Sequence, residues 1–187
     1  MSDLYAPEAT YALLHEFTQT DSLRRHAYAV QASMAAAAQR TGNDERYWSA
    51  VGLLHDFDYE MYPEPPDHPL KGAEILRARG YPDEFVRTIL SHATYTGVPR
   101  ENDCARWLFA VDELSGFCMA CAMVQPDRRI AQVQVKSVRK KLKKKDFAAK
   151  VNRGEIAEGA ADLGLDQDEL IAHVLAALAP VADEIGL

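Results

Sequence analysis

Apolar residues recur at three- and four-residue spacing along almost the whole chain, and this limits its fold more than any other feature. That spacing gathers them on one face of a helix, whereas a half-buried strand needs alternation over several residues. Only Gln132-Val133-Gln134-Val135 alternates, and it is too short to outweigh the helix-like segments on either side. The pattern predicts an all-α fold, a helical bundle of about eight helices with no sheet.

Local signals divide the chain further. Pro7 suits the first turn of a helix over about residues 7–18. Asp21 or Ser22 can cap a second helix, which Gly42 ends near Arg40. Asn43 can cap a third over about residues 44–56. Three prolines make 58–68 a loop, after which Pro69 opens a helix ending at Gly80 and Pro82 one ending near Thr94–Gly97. A long helix covers about 103–123, and a basic segment follows Pro126 and Asp127. Asp166 and Glu169 form a capping box for a last helix to about Asp183. No composition shift marks a boundary. Residues 1–187 therefore read as one domain, with a core over about 20–125 and a C-terminal helical extension over about 126–187.

Charge and cysteine content narrow the function. Net charge is −7, yet residues 128–153 hold 11 Lys+Arg against the single acid Asp146. An acidic body thus carries one basic stretch. Val135, Val138 and Leu142 give that stretch an apolar face, so it packs on the body, with its lysines solvated or funnelling an anionic substrate. The acidic remainder opposes nucleic-acid binding. Three cysteines are too few and too odd in number for a disulfide framework, and Cys118-x-x-Cys121 reads as buried thiols on a helix. No stretch approaches the roughly 18 apolar residues of a membrane span, and the first residues lack a secretory pattern, so a cytoplasmic location is expected.

The polar residues inside apolar stretches carry the chemistry. His26 lies in an apolar-periodic helix, and His55-Asp56 ends the run Val51-Gly52-Leu53-Leu54. A buried imidazole beside a buried carboxylate is costly unless the two are paired or bind a metal. His92 follows Ile89-Leu90-Ser91, Asp112 interrupts Leu108-Phe109-Ala110-Val111, and His68 precedes Pro69. Each has a bland explanation alone; the ordered set does not.

That set, His26 … His55-Asp56 … Asp112, resembles the HD-domain superfamily of metal-dependent phosphohydrolases over about residues 20–125. The phrases Leu53-Leu54-His55-Asp56-Phe57-Asp58 and His68-Pro69-Leu70-Lys71-Gly72-Ala73 add to the likeness. Val138-Arg139-Lys140-Lys141-Leu142 and Phe147-Ala148 resemble the C-terminal part of bacterial members. The resemblance implies a metal site between central helices, with His26, His55, Asp56 and Asp112 as ligands. In the dinuclear branch His68 and His92 would hold a second ion and Asp56 would bridge the two. In a mononuclear site His68 and His92 would instead contact a substrate phosphate.

Mixed imidazole and carboxylate ligation suits one or two divalent ions among Fe, Mn, Co, Mg and Zn. The implied reaction is hydrolysis of a phosphomonoester or phosphodiester of a small metabolite or nucleotide by metal-activated water. Asp56 would be central to it. Lys71, three residues after His68 and so one helical turn away, would clamp the phosphate. Asp58 and Glu60 would orient ligand imidazoles or take a proton. A di-iron oxygenase and a non-catalytic sensing module are the alternatives; the second is weakened because every ligand position is filled. His15 and His173 match nothing in the pattern.

Overall fold

The computed structural model describes residues 3–187, and helices with short connections account for its regular structure. In chain order they are α1 (Pro7–Phe17), α2 (Asp21–Thr41), α3 (Glu45–Leu54), α4 (Asp67–Ala78), α5 (Asp83–Leu90) and α6 (Asp103–Met123). After these come α7 (Val135–Leu142), α8 (Arg153–Asp162), α9 (Gln167–Leu178) and the short α10 (Ala182–Ile185). Tight 3-10 turns lie at Thr94–Thr96, Ile130–Gln132 and Ala179–Val181. No strand occurs among the described residues, and Gln132–Val135 leads from a turn into α7.

The axis of the fold is α6. Leu108, Val111, Leu114, Phe117 and Cys118 are all fully buried, so α6 is enclosed almost all round, as an apolar helix must be. α2 packs along both α3 and α6. The α2–α3 approach is close enough that a Cβ on Gly52 would meet the Val30 carbonyl oxygen at 2.9 Å. The C-terminal helices cover the other side of α6: α8 and α9 lie against it, and α9 also reaches α2. All three cysteines are free and buried within this core. No helix of the described residues is long and apolar enough to cross a membrane.

Several boundaries differ from the sequence expectation for local reasons. Asp44, not Asn43, caps α3, accepting from the backbone N–H groups of Arg46 and Tyr47. α2 begins after Thr20 and takes its cap from a distant side chain. Glu60 accepts from the backbone N–H groups of Gln19 and Thr20 at 2.7 and 3.0 Å. Glu60 is therefore a helix cap, not a proton carrier. α5 stops at Leu90 and the third helix at Leu54, leaving His92 and His55 just beyond two helix ends. The predicted last helix breaks near Pro180 into α9, a 3-10 turn and α10. The expected single basic segment contains α7 and gives way to α8, which has a thin apolar signal because two of its residues are glycine.

Gly159 explains why that signal is thin. A Cβ at Gly159 would lie 2.6 Å from the Cα of Ala110 in α6, so a side chain is replaced here by direct backbone approach. Gly159→Ala is expected to force α8 away from α6 and lower stability by about 1–3 kcal/mol. Urea unfolding monitored by circular dichroism checks this; an unchanged midpoint would contradict the close packing.

Candidate metal centre

Five segments meet at the middle of α6. α2 supplies His26, the end of α3 supplies His55 and Asp56, the start of α4 supplies His68, the residue after Ser91 beyond α5 is His92, and α6 supplies Asp112. Their donor atoms form two groups. His26, His55 and Asp112 offer one set of atoms within 4.8 Å of one another; Asp56, His68 and His92 offer another.

Asp56 faces both groups. Its Oδ1 lies 3.2 Å from His68 Nε2 and 3.2 Å from His92 Nε2. Its Oδ2 lies 3.4 Å from His55 Nε2 and 3.9 Å from His26 Nε2. Asp112 Oδ1 completes the first group, at 3.0 Å from His26 Nε2 and 3.3 Å from His55 Nε2.

The other ring nitrogens are committed elsewhere. His55 Nδ1–H donates to the Gly52 carbonyl at 2.8 Å and His92 Nδ1–H to the Ile89 carbonyl at 2.6 Å. Each imidazole thus bends back to a carbonyl at the end of the helix before it, and the Ile89 carbonyl also accepts from the His92 backbone N–H at 3.1 Å. His68 Nδ1–H donates to Asp58 Oδ1 at 2.9 Å, while Asp58 Oδ2 accepts from the Gly72 backbone N–H at 2.8 Å. Because carbonyl and carboxylate oxygens only accept, all three rings carry their proton on Nδ1, which leaves Nε2 a free lone pair in the neutral form. The Nε2 atom of His55 is buried and has no hydrogen-bond partner. A ring atom in that position calls for a ligand.

Burial is graded across the centre. His55 is 0 %, His68 5 % and His92 8 % exposed, so the imidazoles lie in the protein. The side chains of Asp56, His26 and Asp112 remain 18–23 % exposed and open on a cleft of about 690 Å³. Burial pulls the His55 imidazole down, but the Asp56 and Asp112 carboxylates outweigh it and hold it well above its usual value. Asp56 and Asp112 are both depressed: burial raises each, and the facing His55 overcomes that. His68, lowered by burial, is lifted to about 9 by hydrogen bonds to Asp56 and Asp58.

The structure does not place every expected residue here. Lys71 is absent from the cleft wall, and its ammonium pairs with Glu74 at 3.1 Å on the exposed side of α4. The expected one-turn spacing from His68 fails because His68 and Pro69 have non-helical backbone angles, ψ 136° at His68. Asp58 is fully buried and bonded on both oxygens, so it positions His68 rather than meeting a substrate. A Cβ on Gly72 would lie 2.7 Å from the Asp58 carboxyl carbon, which accounts for glycine at that position. His15 contacts the Tyr28 hydroxyl, and His173 the Ser33 carbonyl, both away from the centre.

Sequence reasoning missed most of the cleft wall. Tyr59 sets its ring edge against His68, and Tyr95 donates its hydroxyl proton to the His68 carbonyl at 2.8 Å. Glu113 lies beside Asp112 and accepts from the Asn152 N–H; burial, then the Asp112 charge, pushes its carboxyl up to about 7. Lys150, Asn152 and Glu155 come from far along the chain. No short spacing signals them.

These donors fit a divalent metal. Imidazole nitrogens and carboxylate oxygens converge without a thiolate, the rings are held by outer hydrogen bonds, and one side stays open. A model of the HD domain family matches residues 23–116, half of the chain and the stretch that holds all six donors. No curated protein and no solved structure gives a significant match.

The raised His68 fixes a pH dependence for chelator-treated protein. Its folded-state value lies above the usual 6.5, so its stabilisation is full below about pH 6.5 and lost as pH rises through about 9. The urea midpoint of metal-stripped protein should fall across that window, while divalent-metal affinity rises as protons leave the rings. A midpoint that climbs across the same window would contradict the pairing of His68 with Asp56 and Asp58.

Proposed function

The chain belongs to the HD domain family, and on that premise we propose that it is a metal-dependent phosphohydrolase. Its substrate would be a phosphomonoester or phosphodiester of a small metabolite or nucleotide. The observation that carries the proposal is the Asp56 carboxylate, which turns one oxygen to His55 and His26 and the other to His68 and His92. That arrangement would suit two ions, one held by His26, His55 and Asp112 and the other by His68 and His92, with Asp56 offering an oxygen to each. Four imidazoles suit Fe, Mn, Co or Zn better than Mg, which prefers all-oxygen octahedral sites.

Divalent ions held there would supply positive charge against phosphoryl oxygens and make a water acidic enough to attack near neutral pH. The remaining work falls to the chain. Asp58 and the Gly52 and Ile89 carbonyls hold the imidazoles so that Nε2 faces the cleft. Leu54 and Phe57, on either side of His55-Asp56 in the chain, are fully buried and anchor that pair in the apolar core. Lys150 places a cation on the cleft wall, where it would draw in and bind the anionic phosphate of the substrate. A cleft of about 690 Å³ suits a metabolite or nucleotide rather than a polymer.

The same donors suit iron, so a di-iron oxygenase is the second reading. Release of inorganic phosphate without dioxygen consumption separates the two.

Asp56→Ala should abolish turnover of p-nitrophenyl phosphate and of its bis ester with added Mn, Co or Fe. Lys150→Ala should keep kcat within about threefold and raise KM by about tenfold, as loss of one charge-assisted contact implies. Full activity in Asp56→Ala, or dioxygen uptake with no phosphate released, would overturn the proposal.

A further inference from the structure

A second pocket lies away from the cleft and shares no residue with it. It has a volume of about 390 Å³ and is lined by Val124 just beyond α6, Ser137, Lys140 and Lys141 of α7, then Lys144 and Phe147. That volume falls within the range of small-molecule sites. Ser137, Lys140, Lys141 and Lys144 stand three or four residues apart and so share one helix face. The turn continues to Lys144, whose N–H reaches the Lys141 carbonyl at 2.9 Å.

Three ammonium groups on one face repel one another. The chain has many carboxylates with which to relieve this, and elsewhere it uses them. Arg100 pairs with Glu158 and Asp162, Arg79 with Glu16, and Arg139 on α7 itself with Asp168. Among the described residues, neither Lys140, Lys141 nor Lys144 forms an ion pair, and no acid lines the pocket. Asp146, the single acid in residues 128–153, stands outside it.

The pocket also has an apolar floor. Phe147 sets its ring edge against Phe117 of α6 at 5.4 Å and lies under Lys141 Nζ at 5.8 Å. Its loop is firmly held: the Arg153 guanidinium donates to the carbonyls of Lys144, Phe147, Ala148 and Val151. The lysines therefore stand on a fixed base rather than on a loose tail.

We infer that this pocket binds a compact oligophosphate anion, either the phosphate chain of a nucleoside triphosphate or a free oligophosphate. Three unpaired point charges within one helical turn match several phosphates in a row, and Val124 and Phe147 offer a surface for a base. The inference is independent of the reaction proposed for the metal centre, because binding is read without turnover.

Isothermal titration of the full-length protein with ATP and with tripolyphosphate, at physiological ionic strength, tests it. The triple variant Lys140→Gln, Lys141→Gln, Lys144→Gln should weaken binding of both by about tenfold or more. The control Lys136→Gln, Lys143→Gln, Lys145→Gln removes the same charge outside the pocket and should cost under about threefold, the part due to the general field. ATP binding tighter than tripolyphosphate assigns part of the affinity to the base; equal binding assigns it to the phosphates alone, and both uphold the site. Equal losses in the two triple variants, no binding of either anion below about 1 mM, or binding of single-stranded RNA alone would overturn it.

Discussion

The centre depends on one carboxylate shared between two groups of imidazoles. Asp56 lies within 3.2 Å of His68 and His92 through one oxygen and within 3.9 Å of His55 and His26 through the other. Bringing four rings and two carboxylates out of water is unfavourable unless every polar atom is answered. The fold answers them in two layers. Nδ1 protons of His55 and His92 go to carbonyls at helix ends, and that of His68 goes to Asp58. Nε2 atoms turn inward, where His55 keeps one with no partner in the protein. The unanswered atom and the shared carboxylate both fit a divalent cation held among these donors.

The helices are arranged to serve that requirement. α3 and α5 stop one residue short of His55 and two short of His92, so each imidazole bends back to a carbonyl three residues earlier. α6, buried on nearly all sides, presents Asp112 from a fixed position. Close backbone approaches at Gly52 and Gly159 pull α3 and α8 in against α2 and α6. Helix packing and ligand placement are thus one set of contacts.

How much of this the sequence disclosed depends on distance along the chain. The all-helical fold was legible because apolar spacing is a local signal, and the capping box at Asp166 and Glu169 reads directly. The six donors were legible as polar residues interrupting apolar runs, in an order that matched a known pattern. Their convergence was not, since no local rule brings His26 to Asp112. Lys71 misled because a helical turn was assumed through His68 and Pro69, where the backbone is not helical and His68 is extended. Glu60 misled because its partners, Gln19 and Thr20, lie forty residues away in sequence. Lys150 stands alone after the lysine run, between Ala149 and Val151, with no local signal of its own, and only the loop gathered around Arg153 brings it to the cleft.

Metal stoichiometry tests the shared carboxylate most directly. Full-length protein loaded with Mn or Co and freed of excess metal should hold about two ions per chain by elemental mass spectrometry. His92→Ala, which touches one group only, should keep about one, and Asp56→Ala should keep neither tightly. Two ions retained in Asp56→Ala, or a single ion in the unaltered protein that His92→Ala leaves in place, would contradict a centre joined by Asp56.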